Sequence, residues 1–119
     1  MNKRAKILIA DDSEFMRKVL MGILEDSGFQ EIVECSDGRD CLDKYEAESP
    51  DLVLLDIIMP VMDGMEVIKK IGKKVNVIII SAIGQEKIME EARLYGALGY
   101  VVKPFDKEQV IGEISKILK

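Results

Sequence analysis

The sequence predicts an α/β protein whose doubly wound, five-stranded parallel sheet is covered by helices on both faces. Short apolar runs of strand length alternate strictly with amphipathic segments of helix length. The connections are short, and right-handed crossovers then leave few arrangements other than a parallel sheet. The run Leu52–Leu55 is wholly aliphatic and lies between Pro50 and Pro60, which is typical of a strand buried on both faces.

The first strand and helix are predicted from an apolar run and a capping residue. Residues 6–10 form the strand, and Ser13 is a suitable N-cap for the helix that follows it. Gly28 can end this helix. Helical spacing predicts that its apolar face consists of Phe15, Met16, Val19, Leu20, Ile23 and Leu24.

A more polar helix is predicted between the second and third strands. Residues 31–36 contain a short β-prone run, and Asp37-Gly38 begins a helix that extends to about Glu48. The third strand is the aliphatic run described above. It delivers one carboxylate, Asp56, to the end of the strand.

The second half of the chain continues the alternation. The predicted elements are a third helix at 65–71, a fourth strand at 75–81, a fourth helix at 85–95, a fifth strand at 99–102 and a fifth helix. Gly72 and Gly96 end the third and fourth helices. Asp106 is the predicted N-cap of the last helix, and Gln109 can complete a capping box with it.

Composition restricts the classes of function. The chain has 119 residues, of which 48% are hydrophobic and 33% charged, with a formal net charge of -5. These values are typical of a single globular domain and disfavour binding to nucleic acid. The apolar run after the basic start is too short for a signal peptide. We therefore expect a cytoplasmic protein that does not enter a membrane.

Cysteine and histidine usage excludes several kinds of site. Cys35 and Cys41 are spaced as neither a redox pair nor a zinc motif, so they are predicted to be reduced packing residues. The chain contains no histidine. This excludes histidine-ligated metals, Ser/His and Cys/His nucleophiles and an internal phosphohistidine.

The carboxyl ends of the predicted strands carry the chemistry. Asp11 and Asp12 follow the first strand, Asp56 follows the third, Ser81 ends the fourth and Lys103 follows the fifth. In a parallel sheet these ends meet at one edge, where open α/β sheets bind ligands. We therefore expect three carboxylates, a hydroxyl and an ammonium group in one site.

This set of groups favours phosphoryl chemistry on a metal. Neighbouring carboxylates repel each other unless a cation joins them, and oxygen ligands alone favour a hard ion such as Mg²⁺. Mg²⁺ recruits phosphate oxygens, and a lysine opposite the acids suits a phosphoryl group. Asp56 is then the predicted nucleophile that forms an acyl phosphate. In the structural alternative, Lys103 only pairs with a carboxylate and Ser81 only caps the following turn.

The motifs also carry a family resemblance, and it covers essentially the whole chain. In order they are Asp11-Asp12, Asp56 followed by Met59-Pro60 and Asp63-Gly64, Ser81-Ala82, and Lys103-Pro104-Phe105. Together they resemble the receiver domain of two-component response regulators, and among these the single-domain regulators of chemotaxis. The resemblance implies a flavodoxin-like sheet with strand order 2-1-3-4-5 and one receiver domain over residues 1–119.

The resemblance also implies the role of each site residue. Asp56 would accept a phosphoryl group from a histidine kinase. Asp12 would bind Mg²⁺ directly, Asp11 would act on it largely through water, and the backbone carbonyl of Ile58 would complete the protein ligands. Lys103 would pair with a phosphoryl oxygen. The domain would be no enzyme towards external substrates, accepting and hydrolysing the phosphoryl group on itself only.

The resemblance implies that two residues transmit the effect of phosphorylation to the surface of the domain. Ser81 would move to hydrogen-bond a phosphoryl oxygen, and Tyr100 would rotate inward into the space that Ser81 vacates. The surface formed by the fourth helix, fifth strand and fifth helix would change as a result. In the alternative interpretation, Tyr100 is an amphipathic residue at the edge of the sheet with its hydroxyl in water.

The predicted output is binding to another protein. Because the chain ends with the fifth helix, we expect a receiver without an attached output domain. We also expect it to be a monomer. The flagellar motor switch is the favoured partner by resemblance, and a phosphotransfer protein of a phosphorelay is the alternative. An aspartyl-nucleophile phosphatase is disfavoured because those enzymes use Asp-x-Asp, whereas Asp11 and Asp12 are adjacent. A flavodoxin-like cofactor binder would need a glycine-rich phosphate loop after the first strand.

Three residues near the expected phosphoryl group are uncharged and mostly apolar. Ile58 and Ile83 stand where many members of the family have polar side chains, and we expect them to shield the acyl phosphate from water. Ala82 is small and should leave room for the phosphoryl group to enter. Ser81 replaces the frequent threonine and keeps its hydroxyl.

Overall fold

The computed structural model describes all 119 residues and contains five strands that alternate with five helices. The strands are β1 (Lys6–Ala10), β2 (Glu31–Cys35), β3 (Leu52–Leu55), β4 (Asn76–Ser81) and β5 (Ala97–Val102). The helices are α1 (Glu14–Asp26), α2 (Gly38–Glu48), α3 (Gly64–Ile71), α4 (Glu86–Leu94) and α5 (Lys107–Ile117). The predicted α/β class and the alternation of elements are confirmed. None of the helices has the length and apolar character needed to cross a membrane.

The sheet is parallel throughout, and its strand order is β2-β1-β3-β4-β5. This is the order that the family resemblance implied. The direction of winding reverses at β1, which lies between β2 and β3. Ligands of such sheets bind at the carboxyl ends of the strands on either side of this reversal. The fold therefore directs attention to the residues that follow β1 and β3.

Two hydrophobic layers enclose the sheet. One layer packs α2, α3 and α4 against it through residues such as Cys41, Ile68 and Ala92. The other packs α1 and α5 against the opposite face through residues such as Leu24 and Ile114. The four residues of β3 are at most 1% exposed, because β3 lies in the centre of the sheet with helices on both sides.

Side-chain caps begin four of the five helices. Ser13, Asp37, Asp63 and Asp106 each accept a hydrogen bond from the backbone N–H three residues later. The predicted caps Ser13 and Asp106 are confirmed, and Gln109 completes the capping box with Asp106. All four caps lie at the carboxyl edge of the sheet, between a strand and the helix that follows it. They therefore determine the residue at which each helix begins.

Two details of the sequence interpretation are wrong. Phe15 is 75% exposed, although it was assigned to the apolar face of α1. It is five residues from the buried Leu20, which places it about 140° around the helix axis from the core. The fifth strand begins at Ala97 rather than Gly99, because Ala97 pairs with Val77 ahead of a shift in register.

The two cysteines are buried and free, as predicted. A hydrogen bond between the Cys35 and Cys41 side chains, together with burial, raises the pKa of the Cys35 thiol far above its usual range. Cys35 therefore stays a neutral thiol at physiological pH and serves the core as a packing residue.

Candidate functional site

The backbone places the predicted acidic residues side by side at the carboxyl edge of the sheet. Asp11 directly follows β1, and its N–H donates to the carbonyl oxygen of Cys35 at the end of β2 (3.2 Å). Asp56 directly follows β3, and its N–H donates to the carbonyl oxygen of Ala10 at the end of β1 (2.9 Å). Both residues thus continue the ladder of the sheet, which holds their side chains in register.

Three carboxylates meet at this edge. One oxygen atom from each of Asp11, Asp12 and Asp56 lies within 4.8 Å of the others. Asp11 is 1% exposed and Asp56 6% exposed, whereas Asp12 is open to solvent. Buried carboxylates at this separation repel each other strongly, so the cluster needs positive charge nearby.

Lys103 supplies part of that charge. Its Nζ donates to Asp11 Oδ2 at 2.8 Å and to Asp56 Oδ2 at 2.9 Å. Its backbone N–H donates to the carbonyl oxygen of Ser81, which fixes Lys103 beside the end of β4 (2.8 Å). The predicted approach of Lys103 to the acids is therefore confirmed, and it is an ion pair with two carboxylates at once.

These ion pairs decide the protonation state of Lys103. Burial alone would lower the pKa of its ammonium group, but the hydrogen bonds to Asp11 and Asp56 outweigh burial and raise it. A raised pKa means that the lysine contributes its full stabilisation below the ordinary value of about 10.4 and loses it only at higher pH. Lys103 is therefore protonated across the physiological range, and its single positive charge faces a cluster of three carboxyl groups.

The donor set fits a magnesium ion. Both Asp11 oxygens are already engaged, Oδ1 by the N–H of Ser13 at 2.9 Å and Oδ2 by Lys103. Asp12, by contrast, receives no hydrogen bond or ion pair from the protein and faces solvent. An open carboxylate beside two buried ones, with oxygen ligands only, suits an ion that keeps several waters.

We expect Asp12→Asn to stabilise the protein in EDTA and to remove its response to Mg²⁺. Loss of one repelling charge should raise the free energy of unfolding by less than about 1 kcal/mol, because Asp12 is exposed and screened. In the unmodified protein, Mg²⁺ at a hundred times its dissociation constant should add about 2.7 kcal/mol. Urea unfolding with and without Mg²⁺ measures both effects. Asp43→Asn, at an exposed position on α2, is the control and should keep the full response to Mg²⁺.

Ser81 and Tyr100 both contact the segment that follows β4. Ser81 is fully buried, and its Oγ accepts a hydrogen bond from the N–H of Ile83 at 3.2 Å. The Tyr100 hydroxyl donates to the carbonyl oxygen of the same residue. Burial raises the pKa of Tyr100; the hydrogen bond with Ser81 lowers it, and the charge of Asp56 raises it further. Tyr100 does lie on the edge strand β5, as the alternative interpretation expected, but its hydroxyl donates to the protein backbone instead of only to water.

The structure contains both of the contacts that the structural alternative assigned to Ser81 and Lys103. Ser81 caps the turn, and Lys103 pairs with carboxylates. The same contacts place the Ser81 hydroxyl and the Lys103 ammonium group at the edge that carries Asp56. Their roles towards a phosphoryl group stay predictions.

The loop after Asp56 contains Gly64, which the sequence analysis named as part of a family motif but gave no role in the site. A Cβ atom on Gly64 would lie 2.0 Å from the carbonyl oxygen of Asp56. The N–H of Gly64 donates to the carbonyl oxygen of Ile57 at 2.7 Å, which closes the loop. Ile58 is 60% exposed, and its N–H donates to Asp56 Oδ1 at 3.3 Å. Gly64 therefore lets α3 pack directly against the backbone of Asp56.

Comparison with known proteins places this arrangement in a family. Residues 7–115 match the family model "Response regulator receiver domain". The chemotaxis protein CheY of Treponema pallidum (strain Nichols) is 42% identical over 96% of this chain and 83% of its own. Sporulation initiation phosphotransferase F of Bacillus subtilis (strain 168) is 37% identical over 95% of this chain and 93% of its own.

A solved structure extends the likeness to three dimensions. A chain in the crystal structure of the CheX-CheY-BeF3-Mg²⁺ complex from Borrelia burgdorferi superimposes with a TM-score of 0.92. It is 34% identical, and the match covers 97% of this chain and 90% of that one. With the matched family model, the sheet order and the Asp11, Asp12 and Asp56 cluster, these likenesses lead to one conclusion: the chain belongs to the family of response regulator receiver domains.

Proposed function

We propose that this receiver domain is a phosphorylation switch in which a histidine kinase phosphorylates Asp56 in a Mg²⁺-dependent reaction. The observation that carries the proposal is the position of Asp56. It is nearly buried, it shares a carboxylate cluster with Asp11 and Asp12, and Lys103 donates to one of its oxygens. A nucleophile held among potential metal ligands and beside a cation has the surroundings that phosphoryl transfer requires.

The transfer uses one carboxylate oxygen of Asp56. This oxygen attacks the phosphorus of a phosphohistidine, the P–O bond of an acyl phosphate forms, and the P–N bond breaks with its electron pair left on the imidazole nitrogen. The Lys103 ammonium, now shared between Asp11 and Asp56, pairs with a phosphoryl oxygen. Asp11, Asp12, Asp56 and the backbone carbonyl of Ile58 would hold Mg²⁺, which offsets negative charge on the transferring group.

The switch connects Asp56 to a surface through Ser81 and Tyr100. The Ser81 hydroxyl exchanges its bond from the Ile83 N–H for a bond to a phosphoryl oxygen, which releases one of the two contacts on Ile83. Tyr100 holds the other contact through the Ile83 carbonyl. The segment between β4 and α4 then shifts with Tyr100, and the surface formed by α4, β5 and α5 changes.

We favour the flagellar motor switch as the output partner. The likeness to the CheY of Treponema pallidum, a protein named for chemotaxis, supports this choice. The second candidate is a phosphorelay, supported by the likeness to a sporulation initiation phosphotransferase. The two differ in the fate of the phosphoryl group. In a phosphorelay it passes from Asp56 to a histidine of a phosphotransfer protein, and in a motor switch it stays on Asp56 until hydrolysis.

The test is the intact mass of the purified protein after incubation with acetyl phosphate. We expect a single phosphoryl adduct in Mg²⁺ and none in EDTA. The adduct should disappear on treatment with hydroxylamine, which cleaves acyl phosphates and leaves phosphoserine intact. No adduct in Mg²⁺, or an adduct that resists hydroxylamine, would contradict the proposal.

The apolar residue beside the phosphoacceptor predicts a long-lived acyl phosphate. Ile58 is two residues after Asp56, and its side chain offers no group that could orient an attacking water. We expect Ile58→Asn to shorten the half-life of the phosphorylated protein about tenfold, which corresponds to about 1.4 kcal/mol in the barrier. Decay of the adduct mass over time measures this half-life. Val61→Asn, an exposed apolar residue of the same loop, is the control, and slower decay in Ile58→Asn would count against shielding.

A further inference from the structure

The end of the molecule opposite Asp56 carries a concentration of positive charge, here called the basic patch. Its members are Lys69, Lys70, Lys73, Lys74 and Arg93. All five are exposed, and none of them forms an ion pair. They are five of the 17 basic residues in a chain whose formal net charge is -5. Glu46 lines a cavity together with Lys74 but makes no ion pair with it. The positive charge of the patch is therefore available to a partner.

The fold, not the sequence, brings these cations together. The four lysines lie in the last turn of α3 and in the loop to β4, whereas Arg93 lies in the last turn of α4. The two helix ends abut, because a Cβ atom on Gly72 would lie 2.1 Å from the carbonyl oxygen of Tyr95. The Lys69 ammonium stands 5.2 Å from the centroid of the Tyr95 ring. The patch thus lies where the ends of α3 and α4 meet, at the amino edge of the sheet.

Apolar groups accompany the charge. Leu94 and Leu98 are 68% and 58% exposed, and they lie on either side of the buried Ala97 at the start of β5. Leu98 also lines an open cavity of about 370 Å³, together with Lys73, Lys74 and Gly96. A cavity of this size accepts one large apolar side chain, and the surrounding lysines can pair with acids that flank it.

We propose that this surface binds an acidic segment of a partner protein that carries apolar side chains, with one of them in the cavity beside Leu98. Charge complementarity favours an acidic occupant, since none of the cations of the patch forms an ion pair with an acidic residue of the protein. The cavity beside Leu98 is a depression open to solvent that one apolar side chain of a protein segment can occupy. The net negative charge of the chain opposes long polyanions such as nucleic acid, which would extend beyond the patch.

The basic patch is separate from the phosphoacceptor site. It lies at the amino edge of the sheet, whereas Asp56 lies at the carboxyl edge. A partner bound to the patch leaves the phosphoacceptor open to its kinase. This docking surface goes beyond the proposed switch and does not require phosphorylation.

The test is binding of a fluorescein-labelled synthetic peptide that is rich in Glu and contains two central leucines. We expect anisotropy to report binding and amide chemical shifts to change at residues 72–76 and 93–98. The double variant Lys73→Glu and Lys74→Glu should weaken binding about tenfold or more. Leu98→Ser should weaken it about fivefold, as expected for the loss of part of a buried leucine. Asp56→Asn should bind as tightly as the unmodified protein, which separates this surface from the proposed switch.

Matched controls make the proposal falsifiable. Lys87→Glu with Lys107→Glu changes the net charge equally, at exposed unpaired lysines near the amino ends of α4 and α5. This control should change affinity less than threefold. Equal weakening by both double variants would overturn the proposal, as would equal binding of a peptide with serines in place of its leucines. Binding to phosphatidylglycerol vesicles or single-stranded DNA but not to the peptide would also overturn it.

Discussion

Replacing Asp56 by Asn is expected to abolish the Mg²⁺-dependent phosphoryl adduct, with a fall in the rate of phosphorylation of at least about a hundredfold. An amide oxygen is a far poorer nucleophile than a carboxylate, and an amide is a poorer ligand for Mg²⁺. The fold should survive, because the amide oxygen can still accept one of the two hydrogen bonds that the Asp56 carboxylate receives, from the Ile58 N–H or from Lys103, and Lys103 keeps its ion pair with Asp11. Intact mass after incubation with acetyl phosphate and Mg²⁺ measures the adduct.

Asp63→Asn provides the matched control for this prediction. Asp63 lies in the same loop and caps α3 by accepting from the N–H of Glu66, a role that asparagine also fills. The control should phosphorylate at the unmodified rate. An adduct of undiminished rate on Asp56→Asn would place the phosphoryl group elsewhere, and peptide mapping would then locate it. Loss of the adduct in both variants would show that the loop, rather than the Asp56 carboxylate, limits the reaction.

The acidic site could be predicted because it follows from local patterns and one rule of topology. Each of Asp11, Asp56 and Ser81 stands at the end of an apolar run of strand length, and parallel strands bring such ends to one edge. These residues could be assigned to one site without knowledge of their burial or of the distances between them. The strand order itself came from the family resemblance, since the alternation of elements is compatible with more than one order.

Other features depend on contacts between distant segments, which a pattern along the chain does not contain. The Tyr100 hydroxyl finds its partner in Ile83, 17 residues earlier, only because β4 and β5 pair. Phe15 has the right composition for a core residue but lies on the wrong side of α1. The basic patch requires the contact between the ends of α3 and α4. In each case, three-dimensional proximity rather than residue type determines the outcome.

Gly64→Ala is expected to destabilise the protein by at least about 3 kcal/mol and to slow phosphorylation of Asp56. The new Cβ would lie 2.0 Å from the carbonyl oxygen of Asp56 and 2.8 Å from the Cα of Ile57, both backbone atoms that no rotamer change can move. Either α3 or the chain at Asp56 must shift, and such overpacking costs more than the roughly 1 kcal/mol that alanine gains over glycine in a helix. Urea unfolding in EDTA measures the stability without a contribution from Mg²⁺.

Gly22→Ala separates this steric effect from helix propensity. Gly22 lies within α1, and an added Cβ meets no atom within 4 Å, so this substitution should stabilise the protein by about 0.5 to 1 kcal/mol. The two substitutions are chemically identical, and their opposite signs would arise only from what each Cβ contacts. If Gly64→Ala left both stability and the rate of phosphorylation unchanged, α3 could withdraw from Asp56 at no cost. The close packing of that helix would then have no part in holding the phosphoacceptor in place.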